Sequence, residues 1–167
     1  MNYAGIIKND TAAAPGVCLS FFTQGCPHRC EGCFNQETWN FNDGKEFNHE
    51  TLAEILEGLT ANGIQRNLCI LGGEPLCVEN AFLTYLIVKE VKEKLPDIKI
   101  YIWTGYTYRY LLDRNIHDKI PAILSMADYL IDGPFMIEKR DVTLCMRGSS
   151  NQKIWDLRTG VDITENF

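Results

Sequence analysis

The sequence predicts an α/β fold in which a curved, mostly parallel sheet forms a partial barrel that stays open along one side. Short apolar segments typical of strands alternate with segments whose apolar residues recur at helical spacing, and this alternation indicates βαβ units around a parallel sheet. The chain has 167 residues, whereas a closed barrel of eight such units typically needs about 250 residues. Roughly four or five units fit this length, so we expect residues 1–167 to form a single domain.

The first predicted strand, residues 16–23, is mostly apolar and runs directly into a cysteine-rich loop. Such a run is typical of a strand that is buried on both faces. A helix is predicted from Asn48, its N-cap, to about Gly63, where a glycine can end it. The apolar positions of this helix recur at helical spacing, and they are Leu52, Ile55, Leu56 and Leu59.

The second predicted strand covers residues 68–71, and a helix over residues 80–95 follows it until Pro96 ends the pattern. The apolar stripe of that helix comprises Phe82, Leu83, Leu86, Ile87 and Val91. Further predicted elements are a strand at 98–103, a weaker helical region at 108–126 and a strand at 128–131. The tail beyond these elements has no clear period, so its structure is left open.

Every predicted strand is followed by a polar or glycine-rich motif. These motifs are TQGC at 23–26, GGEP at 72–75, TGY at 104–106 and DGPF at 132–135. The carboxyl ends of parallel strands lie along one edge of a sheet, which is where α/β folds bind ligands. We therefore expect the four motifs to converge in space.

Composition and charge exclude several classes of protein. The net charge is −6 and no basic stripe offsets it, which argues against a nucleic-acid-binding protein because phosphate contacts need clustered Lys and Arg. No long apolar run indicates a membrane segment, and the first residues lack the features of a secretory signal. We therefore expect a cytoplasmic protein whose seven cysteines are free or metal-bound.

Three of the seven cysteines, Cys26, Cys30 and Cys33, fall within one short loop. Zinc is one interpretation, but a structural zinc site needs four N or S ligands, and His28 lies awkwardly for completing a tetrahedron with all three thiols. The spacing also differs from the four-cysteine spacing of ferredoxins. The remaining cysteines are dispersed along the chain, and they are Cys18, Cys69, Cys77 and Cys145.

Three protein ligands on a four-iron cluster leave one iron open, and an open metal position is typical of chemistry rather than of scaffolding. The Cys-x₃-Cys-x₂-Cys spacing resembles that of the radical S-adenosylmethionine (radical SAM) superfamily. The segment LGGEPL, residues 71–76, is similar to that superfamily's GGE motif. Its glycines allow close approach of a ligand and its carboxylate can pair with a cation, although GGEP alone would also suit an ordinary turn between a strand and a helix.

Three further segments narrow the resemblance. They are YIWTGY at 101–106, LIDGPF at 130–135 and MRGSSNQ at 146–152. Together with the cysteine loop they resemble the family of activating proteins of anaerobic (class III) ribonucleotide reductase. Single residues of the loop region continue the match, and they are Gly25, His28, Gly32, Phe34, Asn35 and Trp39. The resemblance extends from the first residues to about Asn151.

The resemblance implies a radical SAM activase. A reduced [4Fe-4S] cluster would cleave S-adenosylmethionine, and the resulting 5′-deoxyadenosyl radical would generate a glycyl radical on the partner reductase. It implies Cys26, Cys30 and Cys33 as cluster ligands. It implies contacts to S-adenosylmethionine from Gly32, Cys33 and Phe34 along the molecule and from Gly72, Gly73 and Glu74 near its methionine end. It also implies a low-potential electron donor such as flavodoxin, and no side-chain acid or base, because the cofactors carry the chemistry.

Some positions leave alternatives open. Many radical SAM enzymes have an aromatic residue near adenine between the second and third cysteines, where this chain has Glu31, so Phe34 is the candidate for that contact. Further residues are candidates either for the site or for structural roles, and they are Trp103, Tyr106, Asp132 and Arg147. Other functions are a small-molecule radical SAM enzyme resembling 7-carboxy-7-deazaguanine synthase, or an electron-transfer or zinc-binding module.

Overall fold

The computed structural model describes all residues from Met1 to Phe167, and one sheet of eight strands runs through it. The strands are β1 (Asn2–Asp10), β2 (Cys18–Thr23), β3 (Lys45–Glu46), β4 (Asn67–Gly72), β5 (Ile100–Trp103), β6 (Tyr129–Asp132), β7 (Lys153–Asp156) and β8 (Val161–Asp162). The α-helices are α1 (His49–Thr60), α2 (Ala81–Lys94), α3 (Tyr108–Asp113) and α4 (Ile120–Met126). None of these helices combines the length and the apolar character needed to cross a membrane.

The sheet is parallel only in its middle. Its strand order is β3-β1-β2-β4-β5-β6-β7-β8, and the neighbours among β2, β4, β5 and β6 pair in parallel. The outer strands β1, β3, β7 and β8 all pair antiparallel. The α/β class is therefore confirmed, but "mostly parallel" is wrong for the flanks. Antiparallel neighbours need no helical crossover, so the alternation of strands and helices could not reveal them.

The first long helix begins as predicted. Asn48 caps α1, since its Oδ1 accepts a hydrogen bond from the Thr51 N–H at 2.9 Å. In α2 the predicted stripe is wrong at Phe82, which is 43% exposed. The buried positions of α2 are Ala81, Leu83, Thr84, Ile87, Val88 and Val91. The weak helical region is two short helices, α3 and α4, and Pro121 in the first turn of α4 suits a new helix start.

The two faces of the sheet are covered differently. On β4, Leu68 and Ile70 belong to a large core cluster to which all four helices contribute, whereas Cys69 between them belongs to a smaller cluster. That smaller cluster contains no helix residue. Cys18 lies in it as well, so both strand cysteines are small buried residues, as expected. One face of the sheet is therefore free of helices, and this face leads to the site.

Candidate functional site

The predicted motif loops meet at a cleft of about 190 Å³ beyond the carboxyl ends of the parallel strands. Leu71 and Trp103, at the ends of β4 and β5, line it and also pack against the smaller core cluster, so the cleft opens on the helix-free face. Residues of the cysteine and GGE loops in the lining are Cys26, His28, Cys30, Cys33, Phe34, Asn35, Gly72, Gly73 and Glu74. The later motifs contribute Thr104, Gly105, Gly133, Phe135, Met146, Gly148 and Gln152. We call this the cysteine cleft.

The cysteine loop is joined to the GGE loop by main-chain hydrogen bonds. The Gly73 N–H donates to the Thr23 carbonyl and the Glu74 N–H donates to the Gly25 carbonyl, both at 2.9 Å. The buried Asn80 side chain reinforces this junction by donating to the carbonyls of Gly25 at 3.1 Å and Glu74 at 3.0 Å. The sequence marked Asn80 only as the start of a helix, so its contribution to the site was missed.

Two predicted glycines are required by close packing. A Cβ atom on Gly73 would collide with the Gly25 carbonyl oxygen, so a side chain there would separate the two loops. Gly32 has φ +71°, and a Cβ atom on it would lie 2.7 Å from Ile137 Cδ1. Gly32 is therefore packed beside the DGPF segment. Among the residues predicted to contact S-adenosylmethionine, it is the one that does not line the cysteine cleft.

The three loop cysteines are free thiols that border one space. All three line the cysteine cleft and are neither fully buried nor fully exposed. Burial raises the pKa of the Cys26 thiol to about 11 and also raises the pKa of Cys30. Any metal bound by these thiols would therefore displace protons, because the thiolate is the form that binds a metal. No three His, Cys, Asp or Glu side chains of the chain converge closely enough to hold one metal ion.

The Glu74 carboxylate is the most heavily hydrogen-bonded group in the cleft. It is 1% exposed. Its Oε1 accepts from the Leu76 N–H at 2.9 Å and from the Thr104 hydroxyl at 2.8 Å. Its Oε2 accepts from the Gly105 N–H at 2.7 Å and from His28 Nε2 at 2.8 Å. The buried charge is thus compensated by four donors. One of them, Thr104, belongs to the TGY motif that was expected at the site, but its contact with Glu74 was not predicted.

The side chain of His28 is directed to Glu74 and to an aromatic neighbour. Its ring packs edge-on against Tyr106, with centroids 4.5 Å apart, and Tyr106 in turn stacks on Tyr110. Tyr106 therefore supports the cysteine loop from outside the cleft lining. Trp103 does line the cleft, and its Nε1 donates to the Met146 carbonyl at 2.7 Å.

Phe34 lies at the rim of the cysteine cleft and is 62% exposed. Its ring is 5.8 Å from that of Phe135 at an angle of 62°. The guanidinium of Arg140 lies 5.1 Å from the Phe34 ring centroid, within the range of a cation–π contact. Phe34 thus packs with the DGPF segment, while Glu31 is exposed.

Asp132 and Arg147, the two charged candidates, differ in how fully they are hydrogen-bonded. Asp132 is buried and accepts a hydrogen bond from the Tyr108 N–H at 2.6 Å, so it ties β6 to the start of α3; burial raises its pKa. Arg147 donates to the Gln152 carbonyl at 3.4 Å, and its buried Nε has no partner. Gln152, another missed residue, donates to the Gly133 carbonyl at 3.0 Å and so joins the RGSSNQ and DGPF loops.

Comparison with known proteins agrees with this geometry. Residues 12–155, which include the whole cysteine loop, match the model of the family described as "4Fe-4S single cluster domain". The fold and site thus place the chain in the class of proteins that carry a single iron–sulfur cluster.

Relatives narrow the class. The chain is 37% identical over 156 residues to the anaerobic ribonucleoside-triphosphate reductase-activating protein of Pasteurella multocida, covering 93% of this chain and 97% of the relative. The proteins of the same name from Enterobacteria phage T4 and Escherichia coli K12 are 36% and 31% identical, covering 96% and 95% of this chain and 97% and 100% of theirs. The chain belongs to the family of anaerobic ribonucleoside-triphosphate reductase-activating proteins.

Proposed function

We propose that the chain is a radical SAM activase that generates a glycyl radical on an anaerobic ribonucleoside-triphosphate reductase. The observation that carries the proposal is the meeting of three free thiols and the GGE loop in one cleft, in a chain whose near-full-length relatives are named as activating proteins of that reductase. When bound, a reduced [4Fe-4S] cluster and S-adenosylmethionine supply the electron and the 5′-deoxyadenosyl radical. The chain's own residues hold and orient both cofactors.

The donor set fits such a cluster. Cys26, Cys30 and Cys33 are its ligands in this proposal, since thiolates are the usual ligands of iron–sulfur clusters. His28, the nearest alternative donor, is engaged with Glu74, so three ligands leave one iron for S-adenosylmethionine. The contacts proposed for that molecule come from Gly32, Cys33 and Phe34 along its length and from Gly72, Gly73 and Glu74 near its methionine end.

We further propose that the sheet is the open partial barrel of the radical SAM type and that residues 1–167 form one domain. The linear strand order, with β3 and β8 at its two edges, supports an open rather than a closed sheet. Confinement of the helices to one face leaves the other face available to a protein substrate. The exposed Phe34 at the cleft rim is suitably placed to meet such a substrate.

The surroundings of the reaction follow from the same proposal. The reductase is the protein substrate, and a low-potential donor such as flavodoxin supplies the electron. A reducing cytoplasm suits a chain in which all seven cysteines are free.

The test is anaerobic reconstitution with iron and sulfide, followed by reduction and addition of S-adenosylmethionine and a candidate class III reductase. We expect a glycyl-radical EPR doublet on the reductase. Replacement of Cys26, Cys30 or Cys33 by Ala removes it, because each loses a cluster ligand. Cys145→Ala is the matched control, since Cys145 is an exposed cysteine outside the cleft, and it retains the doublet.

Three outcomes are informative. Cleavage of S-adenosylmethionine without any doublet on the reductase would instead favour a small-molecule radical SAM enzyme. A colourless zinc protein that never cleaves S-adenosylmethionine would contradict both enzyme functions. A doublet that survives loss of the loop cysteines would refute the proposed ligands alone.

A further inference from the structure

We infer that His28 is a positioning residue that fixes the middle of the cysteine loop against the ends of β4 and β5 and thereby sets the geometry in which S-adenosylmethionine binds. The inference rests on the proposed function but assigns a role to a residue that is neither a cluster ligand nor a proposed contact of S-adenosylmethionine. It depends on three contacts of the imidazole and on how the rest of the loop is held.

The imidazole is held from three sides. Its Nε2 donates to Glu74 Oε2 at 2.8 Å, and its ring packs edge-on against Tyr106 at 4.5 Å. It also lies directly over Gly105, where an added Cβ atom would be 2.5 Å from the His28 ring carbon Cδ2. Only glycine at position 105 leaves room for this ring. Its three partners lie in the loops that follow β4 and β5.

The Glu74 carboxylate, which accepts the hydrogen bond from His28, is itself held in place. Besides His28, three donors hold the Glu74 carboxylate in place, and they are the Leu76 and Gly105 amides and the Thr104 hydroxyl. These donors lie in the loops that follow β4 and β5, so Glu74 cannot move without breaking hydrogen bonds to both loops. Glu74 is therefore a hydrogen-bond acceptor whose position relative to His28 is fixed.

His28 is the side chain that joins the middle of the cysteine loop to the Glu74 carboxylate. The beginning of the loop is already held by main-chain bonds from the GGE loop to the carbonyls of Thr23 and Gly25. Beyond that point Arg29 has φ +48°, a conformation that non-glycine residues adopt rarely and retain only where their surroundings hold them. The ring of the preceding residue, His28, is held on three sides and only 20% exposed, and it provides such surroundings.

This attachment matters because S-adenosylmethionine in the proposed function touches the cluster on one loop and the GGE segment on the other. A ligand that bridges two loops binds well only if their spacing is already set. Removal of a partner that orients metal-site residues without ligating the metal typically lowers metal affinity or activity by about 10- to 100-fold. We expect an effect of that order on binding of S-adenosylmethionine and none on the number of irons bound.

The experiment compares His28→Gln with His28→Asn. The amide nitrogen of Gln can occupy the place of Nε2 and reach Glu74, whereas that of Asn is one methylene too short. His117→Asn is the matched control, because His117 lies outside the cleft, is as exposed as His28, and contacts only Asp118 and the Lys119 N–H through its Nδ1. After anaerobic reconstitution, the measurements are iron and sulfide per chain, the dissociation constant of S-adenosylmethionine, and the EPR spectrum of the reduced cluster with and without it.

We expect wild-type iron content in all three variants. His28→Asn should weaken S-adenosylmethionine binding by about tenfold and lose the change that this ligand causes in the EPR spectrum, whereas His28→Gln should stay within about twofold of the wild type. Gly105→Ala displaces the same ring without altering His28, and it should reproduce the weakened binding even if His28→Asn does not fold.

Several results would overturn the inference. Equal S-adenosylmethionine affinity in His28→Asn, Gly105→Ala and the wild type would show that the attachment does not set the binding geometry. Loss of iron from both His28 variants would instead indicate a cluster ligand. If the wild-type protein itself binds iron but not S-adenosylmethionine, the proposed function fails and the inference fails with it. The wild-type measurement shows this before any variant is compared.

Discussion

The two ends of β4 each carry one buried charge, and the two charges serve different purposes. Arg66 immediately precedes the strand and is 3% exposed, while Glu74 follows it and is 1% exposed. Neither charge forms an ion pair with a Lys, Arg, Asp or Glu side chain. Each is compensated mainly by neutral hydrogen-bonding groups, as burial of a charge requires. The difference lies in which segments supply those groups.

Arg66 joins one helix to one strand. Its Nε and Nη2 donate to Asn9 Oδ1 of β1 at 2.9 and 2.7 Å. Its Nη1 donates to three carbonyls at the end of α1 and beyond it, those of Gly58, Ala61 and Ile64. A cation is favourable there because the carboxyl end of a helix carries partial negative charge. Arg66 lies outside the cysteine cleft, so it stabilises the fold.

Glu74 joins three loops at the opposite end of the strand, and its fourth donor, His28, belongs to the cysteine loop. It also lines the cleft. The comparison shows that a buried charge does not by itself indicate a functional site. What distinguishes Glu74 is that its partners come from several motif loops and that it faces an open space.

The largest expected effect comes from Arg66→Met. The substitution removes the donors to three carbonyls and to Asn9 while retaining an unbranched, mostly aliphatic side chain. We expect the free energy of unfolding to fall by about 3–5 kcal/mol, with wild-type iron content in the protein that remains folded. Thermal and urea unfolding measure this. Arg109→Met, at a surface arginine that is 86% exposed, should leave the melting temperature unchanged; an equal loss in both variants would remove the distinction between the two arginines.

Glu74→Gln should cost less stability but alter the site. The amide nitrogen of Gln would face two donors on one side of the group, so we expect a loss of about 2–3 kcal/mol in the free energy of unfolding together with weaker S-adenosylmethionine binding. Urea unfolding and equilibrium binding after reconstitution measure the two effects. The exposed Glu79 supplies the control variant Glu79→Gln. If Glu74→Gln lowers stability without changing ligand binding, the two ends of β4 are functionally alike.

The exposed charge of Asp162 should contribute less to the free energy of unfolding than the buried charges of Arg66 and Glu74. Partial burial opposes ionisation of Asp162, but hydrogen bonds from Lys153 and Thr164 lower its pKa to about 2. A group whose pKa is lower in the folded protein stabilises it above the unfolded pKa and loses that contribution as pH falls through the folded value. The contribution of Asp162 should therefore disappear between about pH 4 and pH 2.

The measurement is urea unfolding of the wild type and Asp162→Asn at pH 5, 4, 3 and 2. The variant should be less stable at pH 5 by less than about 1 kcal/mol, as for other surface ion pairs, and the difference should be smallest at pH 2. A constant difference across this range would mean that ionisation of Asp162 is not the cause.

The smallest expected effect is a gain. Arg29 has φ +48°, which costs a residue with a Cβ atom more than it costs glycine. Arg29→Gly should raise the free energy of unfolding by about 0.5 kcal/mol, measured by urea unfolding of the cluster-free protein. Arg29→Ala removes the same charge but keeps the Cβ atom, so it should leave stability unchanged. An equal gain in both variants would assign the effect to the charge rather than to the backbone.

The sequence predicted the central strands, the first two helices and the loops that form the cleft, because each has a local pattern. It did not predict β1, which mixes polar with apolar residues and is mostly incompletely buried, or β7 in the tail. It placed Phe82 on the buried side of α2, although Phe82 is exposed and the buried residues of α2 include Thr84 and Val88 instead. Apolar spacing describes a possible face of a helix, whereas the packed neighbours decide which face is buried.

The sequence by itself determined the family to which the chain belongs. The cysteine spacing, the GGE segment and the later motifs were sufficient to predict the family, because ligand types and glycine positions are local properties of the chain. Only the tertiary structure decided how Glu74 is held, since its donors come from positions 28, 76, 104 and 105. A carboxylate accepts hydrogen bonds from whichever donors surround it in space, and the parallel order of β4 and β5 brings these donors together.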